Sequence, residues 1–200
     1  MARGLGAAPP ACALLTPLAR APLQLFNYGY FPQTWEDPEH VDADTSCHGD
    51  NAPLDVVEVG ARQMKTGECA PVRVLGLLGM IDDGETDWKI FAVRLDDPLA
   101  EKLHCLADLE KELPGCVTAL REWLRVYKVP EGKPLNAFAL EERAQDRDYA
   151  LKVIQGTHQA WIKSHGVKSN MGRGGTGFGI LASPSMSELN MLETTPAPDL

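Results

Sequence analysis

The feature that most constrains this chain is a pair of apolar runs joined by a two-residue turn signal. Val72-Arg73-Val74-Leu75-Gly76-Leu77-Leu78-Gly79-Met80-Ile81 is long and apolar, and reads as a buried strand with glycines at a bend. Asp83-Gly84 is a hairpin signal and leads into Trp88-Lys89-Ile90-Phe91-Ala92-Val93. Upstream, Leu54, Val56 and Glu58 alternate with Asp55, Val57 and Val59 until Gly60 stops the run. Lys65-Thr66-Gly67-Glu68 reads as a turn between the two regions. Three antiparallel strands with carboxylates at their turns are predicted, half of a small barrel.

Helices are predicted to follow. Residues 98–112 hold short helical stretches. Pro114 suits the first turn of a better helix carrying Val117, Leu120, Leu124 and Tyr127 at helical spacing. That helix should stop before Pro130, because the residue preceding a proline avoids helical geometry. A longer helix is predicted from about Glu142 to His165, with Leu151, Ile154, His158 and Trp161 on one stripe; His158 reads as a core or boundary residue, not a ligand.

The two ends read differently. Residues 1–24 are rich in Ala, Pro and Leu, carry Arg3 and Arg20 and have no acid, which makes a weak targeting segment. Pro9, Pro10, Pro17 and Pro22 spoil the amphipathic helix of such segments, so a disordered leader is the expectation. Residues 166–200 turn to Gly, Ser, Met and Pro without periodicity and read as a disordered tail. Gly172-Arg173-Gly174-Gly175-Thr176-Gly177 matches GxGxxG formally, but no strand precedes it and no helix follows, so it reads as linker.

Charge narrows the chemistry. The net charge is −9, which disfavours nonspecific nucleic-acid binding and favours cations as partners. From Glu36 to Glu58 there are acids and no Lys or Arg. A solvated acidic loop is one reading of that run. The turn-and-strand setting of Asp50 and Asp55 favours a metal site instead. The second acidic group, Asp82-Asp83-Gly84-Glu85-Thr86-Asp87, also runs straight into a strand. Carboxylates crowded at the mouth of a sheet repel one another unless a cation sits between them, and hard divalent ions such as Mg²⁺ take such oxygen ligands. Lys89 lies two residues after Asp87, on the same side of an extended chain, where it can meet a phosphate. Five widely spaced cysteines without a CxxC pair indicate neither zinc nor a disulfide framework. Cys47-His48 are adjacent and do not suit one metal centre. No run approaches the ~18 apolar residues of a membrane span. Free thiols suit a reducing compartment, the cytoplasm, with the mitochondrial matrix as the alternative.

These motifs carry a family resemblance. Asn27-Tyr28-Gly29-Tyr30-Phe31-Pro32-Gln33-Thr34-Trp35-Glu36-Asp37-Pro38, the stretches 49–60 and 84–89, and Tyr127-Lys128-Val129-Pro130-Glu131-Gly132-Lys133-Pro134 resemble the soluble family I inorganic pyrophosphatases of eukaryotic type. The resemblance runs in matching order over roughly residues 26–165, far more than a single motif. It implies an α+β fold, an OB-like antiparallel β-barrel flanked by C-terminal helices, with residues 25–165 as the pyrophosphatase domain. The family's long β-rich N-terminal portion has no counterpart here, so the barrel is expected to be partial, its N-terminal strands missing. The resemblance also implies hydrolysis of inorganic diphosphate by Mg²⁺-activated water, with no covalent phosphoenzyme. Carried over by motif position, Asp50, Asp55 and Asp87 would hold the central Mg²⁺ ions. Asp82 would help hold the ion that arrives with substrate. Tyr28, Lys89, Tyr127 and Lys128 would bind phosphate oxygens. Trp35 and Trp88 read as packing around the site.

One position departs. The family motif is Asp-x-Asp-Pro-x-Asp, and this chain reads Asp50-Asn51-Ala52-Pro53-Leu54-Asp55. The middle aspartate bridges metals and takes the water's proton in the family; Ala52 does neither. Loss of a positioned general base costs about 10²–10⁴-fold. Impaired hydrolysis is therefore one expectation. The alternative is a non-catalytic metal-binding paralogue or splice product that pairs with a full-length subunit, since the eukaryotic relatives are homodimers.

Overall fold

A computed structural model describes residues 11–16 and 26–169. Seven strands form one sheet: β1 Ala11–Thr16, β2 Asn27–Tyr30, β3 His48–Gly49, β4 Asp55–Glu58, β5 Glu68–Asp82, β6 Glu85–Arg94 and β7 Ala137–Phe138. Three helices accompany them: α1 Leu106–Glu112, α2 Cys116–Val126 and α3 Arg147–Ser169. The architecture is the α+β, OB-like one expected from the sequence. None of the described helices is long and apolar enough to cross a membrane.

The β5–β6 hairpin is the frame. Asp83 and Gly84 take φ 50° and 86°, the paired left-handed conformation of a two-residue hairpin turn. A bulge between Val74 and Gly76 shifts the β5 register. It coincides with a close approach: a Cβ on Gly76 would lie 2.5 Å from the Gln145 carbonyl. Gln145 and Leu77 exchange backbone hydrogen bonds there, at 2.8 and 3.0 Å. Glycine is required because another backbone crosses the strand.

β6 lies between β4 and β5. β5 pairs antiparallel along its length, whereas β4 runs parallel to it, in the register Asp55↔Lys89 to Glu58↔Ala92. This corrects the expectation of three antiparallel strands. Direction still alternates from β4 to β5 to β6, but β6 inserts between its two predecessors and so neighbours the strand that shares its direction. β2 pairs antiparallel with β4, and β1 pairs antiparallel with both β2 and β5. Hydrogen-bonded neighbours thus run β6–β4–β2–β1–β5 and return to β6. β1 falls inside the stretch expected to be leader. Its Ala-Cys-Ala-Leu-Leu-Thr run is short and apolar between Pro10 and Pro17, and prolines are tolerated at strand ends. The remainder of residues 1–24 and the tail beyond 169, with its glycine-rich motif, lie outside the described residues.

Both faces of the hairpin are buried, which explains its nearly continuous apolar sequence. Trp88, Ile90 and Ala92 join a cluster that includes Ala150 of α3, with Val153 and Ile154 packed against it. Phe91 and Val93 join the opposite cluster with Leu109 of α1 and with Leu120 and Leu124 of α2. α2 begins after Gly115, and Glu110 accepts the backbone N–H groups of Gly115 and Val117 at 2.9 and 2.8 Å. It ends before Pro130, as predicted. α3 starts later than expected. Leu140, Glu141 and Glu142 all take positive φ, and helix begins only after the Asp146 carboxylate accepts the Tyr149 N–H at 2.9 Å.

Candidate metal and phosphate site

The strand register builds the site. β3 and β4 both run parallel to β6, on the edge that β5 leaves open. Between Thr86 and Lys89 β6 advances three residues, while its neighbour takes six from Gly49 to Asp55. The surplus projects as a loop, 50–54, carrying Asp50 above β6. Asp87 and Lys89 share one side of β6, and Asp55 lies opposite Lys89.

Lys89 is the centre. It is 1% exposed, and its ammonium donates to Asp55 Oδ2 and Asp87 Oδ1, both at 2.5 Å, and to the Tyr28 hydroxyl at 2.8 Å. Tyr28 in turn donates to Asp55 Oδ2 at 2.5 Å. All three donors of the ammonium are therefore engaged. Burial alone would lower the Lys89 pKa, but Asp87, Tyr28 and Asp55 outweigh it and raise it well above the ordinary lysine value. Burial pushes the Asp87 carboxyl up to about 7, with Lys89 opposing and Asp55 reinforcing the rise. Burial likewise raises the Tyr28 phenol well above its usual range.

A second group sits at the far end of β5. Lys128 donates to Asp82 Oδ2, and the Tyr127 hydroxyl lies 3.5 Å from the same oxygen. Asp82 Oδ1 is buried without a hydrogen-bond partner. The Tyr127 ring stacks on Trp123 at 5.1 Å, which fixes its hydroxyl. Burial raises the Tyr127 pKa, with Lys89 and Lys128 opposing and Asp82 and Asp87 adding to the rise. The neighbouring Asp83 is exposed and pairs with Lys133 at 2.8 Å.

Glu36 is the residue that sequence reasoning missed. It is 4% exposed, and one oxygen each from Glu36, Asp50 and Asp87 lie within 4.8 Å of one another. Glu36 Oε1 accepts the Trp88 N–H at 3.1 Å, while Oε2 is buried with no partner. Burial, then Asp87 and Asp50, raise the Glu36 pKa well above the carboxylate range. Burial also raises that of Asp50. The sequence signal for Glu36 is its place in the Trp35-Glu36-Asp37 part of the family resemblance, at the start of the acidic run 36–58, where only Asp50 and Asp55 read as ligands. Of the predicted residues, Tyr28, Asp55, Asp87 and Lys89 form one hydrogen-bonded set, and Asp82, Tyr127 and Lys128 another. Asp50 joins through Glu36 and Asp87. Trp88 is core and Trp35 is half-buried, its indole N–H donating to Asn51 Oδ1 at 2.9 Å. His158 accompanies them outside the site, its Nδ1 2.6 Å from the Gln33 carbonyl.

Fold and site together define an α+β protein whose OB-like barrel holds an acidic, lysine-centred cradle suited to cations and phosphate. The family model described as inorganic pyrophosphatase matches residues 12–162. An inorganic pyrophosphatase of Eremothecium gossypii is 51% identical over 139 residues, covering 70% of this chain and 48% of that protein. The solved inorganic pyrophosphatase of Schistosoma japonicum is 50% identical with a TM-score of 0.68, covering 70% of this chain and 49% of the other. An N-terminal-domain-truncated Trypanosoma cruzi vacuolar soluble pyrophosphatase, solved in complex with PPi, is 42% identical with a TM-score of 0.68; 70% of this chain and 53% of that one are covered. The chain belongs to the inorganic pyrophosphatase family. It spans about half the length of the curated relatives it matches.

The family implies a divalent metal, and the donor set fits one. Among the described residues, five carboxylates (Glu36, Asp50, Asp55, Asp82, Asp87) meet two ammonium groups, Lys89 and Lys128. Two buried carboxylate oxygens, on Glu36 and Asp82, have no hydrogen-bond donor among the described residues. Hard oxygen donors with surplus negative charge are what Mg²⁺-like ions take.

Proposed function

We propose that this chain is a Mg²⁺-dependent inorganic diphosphatase, with its turnover limited by Ala52. The observation that supports it most is the Lys89 network, in which one buried ammonium holds Asp55, Asp87 and Tyr28 together. When bound, Mg²⁺ neutralises diphosphate charge and lowers the pKa of the attacking water. Asp50, Asp55 and Asp87 would hold the central ions, and Asp82 would help hold a further one. Lys89, which now pairs with Asp55 and Asp87, would bind one phosphate, and Lys128 with the Tyr127 hydroxyl, which now meet Asp82, would bind the other. Phosphoryl transfer depends on such positioning and charge neutralisation more than on covalent chemistry. The free thiols of Cys47, Cys105 and Cys116 suit the cytoplasm.

Ala52 supports a second reading, a non-catalytic member that binds metal and pairs with a longer pyrophosphatase subunit. Its methyl group cannot accept the proton that a carboxylate there would take. The deciding experiment is phosphate release from diphosphate with and without Mg²⁺, for the unmodified chain, Ala52→Asp and a Lys89→Ala control. Mg²⁺-dependent release in the unmodified chain, lost in the control, supports the enzyme. Release only in Ala52→Asp, about 10²–10⁴-fold above the unmodified chain, places the defect in one carboxylate. Absence of release in both variants transfers the conclusion to the second reading.

A further inference from the structure

Glu36 is held in place from several directions. Its N–H donates to the Ala52 carbonyl at 2.9 Å, and its own carbonyl accepts the Asn51 N–H at 3.0 Å. Trp35 anchors the same loop through Asn51 Oδ1. Gly49 lets β3 and the loop at Glu36 close up, since a Cβ there would lie 2.5 Å from the Glu36 carbonyl carbon. The chain from 34 to 36 is thus stitched to the loop that carries Asp50, and the Glu36 carboxylate is delivered beside Asp50 and Asp87.

A purely structural role leaves this side chain unexplained. Accepting the Trp88 N–H uses only Oε1. A glutamine amide would accept that bond equally well and bring no charge. Oε2 instead stays buried without a donor, which is costly for any polar atom and more so for a carboxylate. The three carboxylate oxygens span at most 4.8 Å. Hard divalent cations bind oxygen at about 2.0–2.6 Å, so two ligands on one ion stand no more than about 4–5 Å apart. The spacing is that of ligands around a single ion.

We propose that Glu36 is a direct cation ligand, completing with Asp50 and Asp87 a three-carboxylate site that draws only Asp50 from the Asp50–Asp55 motif. The inference rests on the metal-dependent reading above and adds a ligand to it. It gives the chain a three-carboxylate cation site that does not depend on the residue at position 52.

The test is Mn²⁺ binding to the full chain, counted by electron paramagnetic resonance, for the unmodified protein, Glu36→Gln and Asp87→Asn. Glu36→Gln retains the acceptor for Trp88, and should weaken Mn²⁺ binding about tenfold or more, at least the loss seen on removing an outer-shell partner. Without metal the same variant should melt at the same temperature or higher, because a buried unpaired charge is gone. Unchanged Mn²⁺ affinity in Glu36→Gln alongside loss in Asp87→Asn overturns the Glu36 assignment and leaves the metal-dependent reading intact. No Mn²⁺ binding by the unmodified chain at millimolar metal overturns both. Should Glu36→Gln fail to fold, infrared difference spectra of the unmodified chain with ¹³C-labelled glutamate decide the matter. A metal-induced shift of the labelled carboxylate band supports the proposal, and its absence overturns it.

Discussion

Replacing Lys89 with methionine tests the centre of the site in a single residue. Methionine fills similar space but leaves Asp55 and Asp87 facing each other without their shared ammonium. Lys89 is 1% exposed and makes two 2.5 Å ion pairs. Breaking a buried pair by removing one partner costs about 3–5 kcal/mol. For a chain of this size each kcal/mol moves Tm by about 2–4 °C, so Lys89→Met should melt roughly 6–20 °C lower. The loss has a built-in relief valve. Asp87 already titrates at about 7 because of burial, and loss of Lys89 raises it further, so at pH 5 its carboxyl is neutral and the repulsion largely gone. The destabilisation should therefore be large at pH 8 and small at pH 5, measured by thermal melts in chelator. Added Mn²⁺ should restore more of the stability in the variant than in the parent. A variant as stable as the parent at pH 8 without metal would refute the reasoning, because the ion pairs would then contribute nothing.

Two further outcomes follow from the same geometry. In the metal-free parent, Asp87, Glu36 and Asp50 all have raised folded-state pKa values, so between about pH 4 and 7 the folded chain binds protons that the unfolded chain has released. Stability from these groups is present at low pH and lost as pH rises through the folded values, by at most about 4 kcal/mol for Asp87. Urea midpoints in chelator should fall from pH 5 to pH 8, and a rise would contradict the assignment. Gly49→Ala forces a Cβ to 2.5–2.7 Å from the backbone of Glu36 and Asp37. It should cost about 1–3 kcal/mol and weaken Mn²⁺ binding by moving Glu36 away from Asp50; unchanged binding would show that the two loops move together.

Local signals carried the hairpin and part of the site. The period-two rule put Asp87 and Lys89 on one side, and the structure joins them directly. Asp83-Gly84, Gly60 and Pro130 bounded elements close to where they end. What failed was non-local. The parallel β4–β6 pairing depends on β6 inserting between earlier strands, which no window of sequence records. β1 looked like leader because its short apolar run lies among prolines and small residues. The start of α3 was misplaced because three successive positive-φ residues at 140–142 leave no mark in composition. Glu36 was hidden for a related reason. An acid in an acidic run gives no sign of burial until the fold brings its backbone against Gly49 and Asn51 and its carboxylate to the Trp88 N–H.

Position 52 can be isolated from the rest of this machinery. The backbone there is fixed by contacts that involve no side chain of its own: its N–H donates to Asp50 Oδ1 at 2.8 Å, and its carbonyl accepts the Glu36 N–H. Asn51, at φ 65°, supplies the left-handed residue that turns the loop. None of these contacts requires alanine. Ala52→Asp therefore adds a carboxylate to a half-buried position on a loop already built and braced, and should leave the metal-free fold within about 1 kcal/mol of the parent apart from the added charge. Any gain in phosphate release then measures chemistry and not refolding. If Ala52→Asp instead melts several degrees lower without metal and recovers with Mn²⁺, the new carboxylate faces the same cation as Asp50. If it neither destabilises the metal-free chain nor tightens Mn²⁺ binding, residue 52 points away from the ions, and Ala52 is no explanation for impaired turnover.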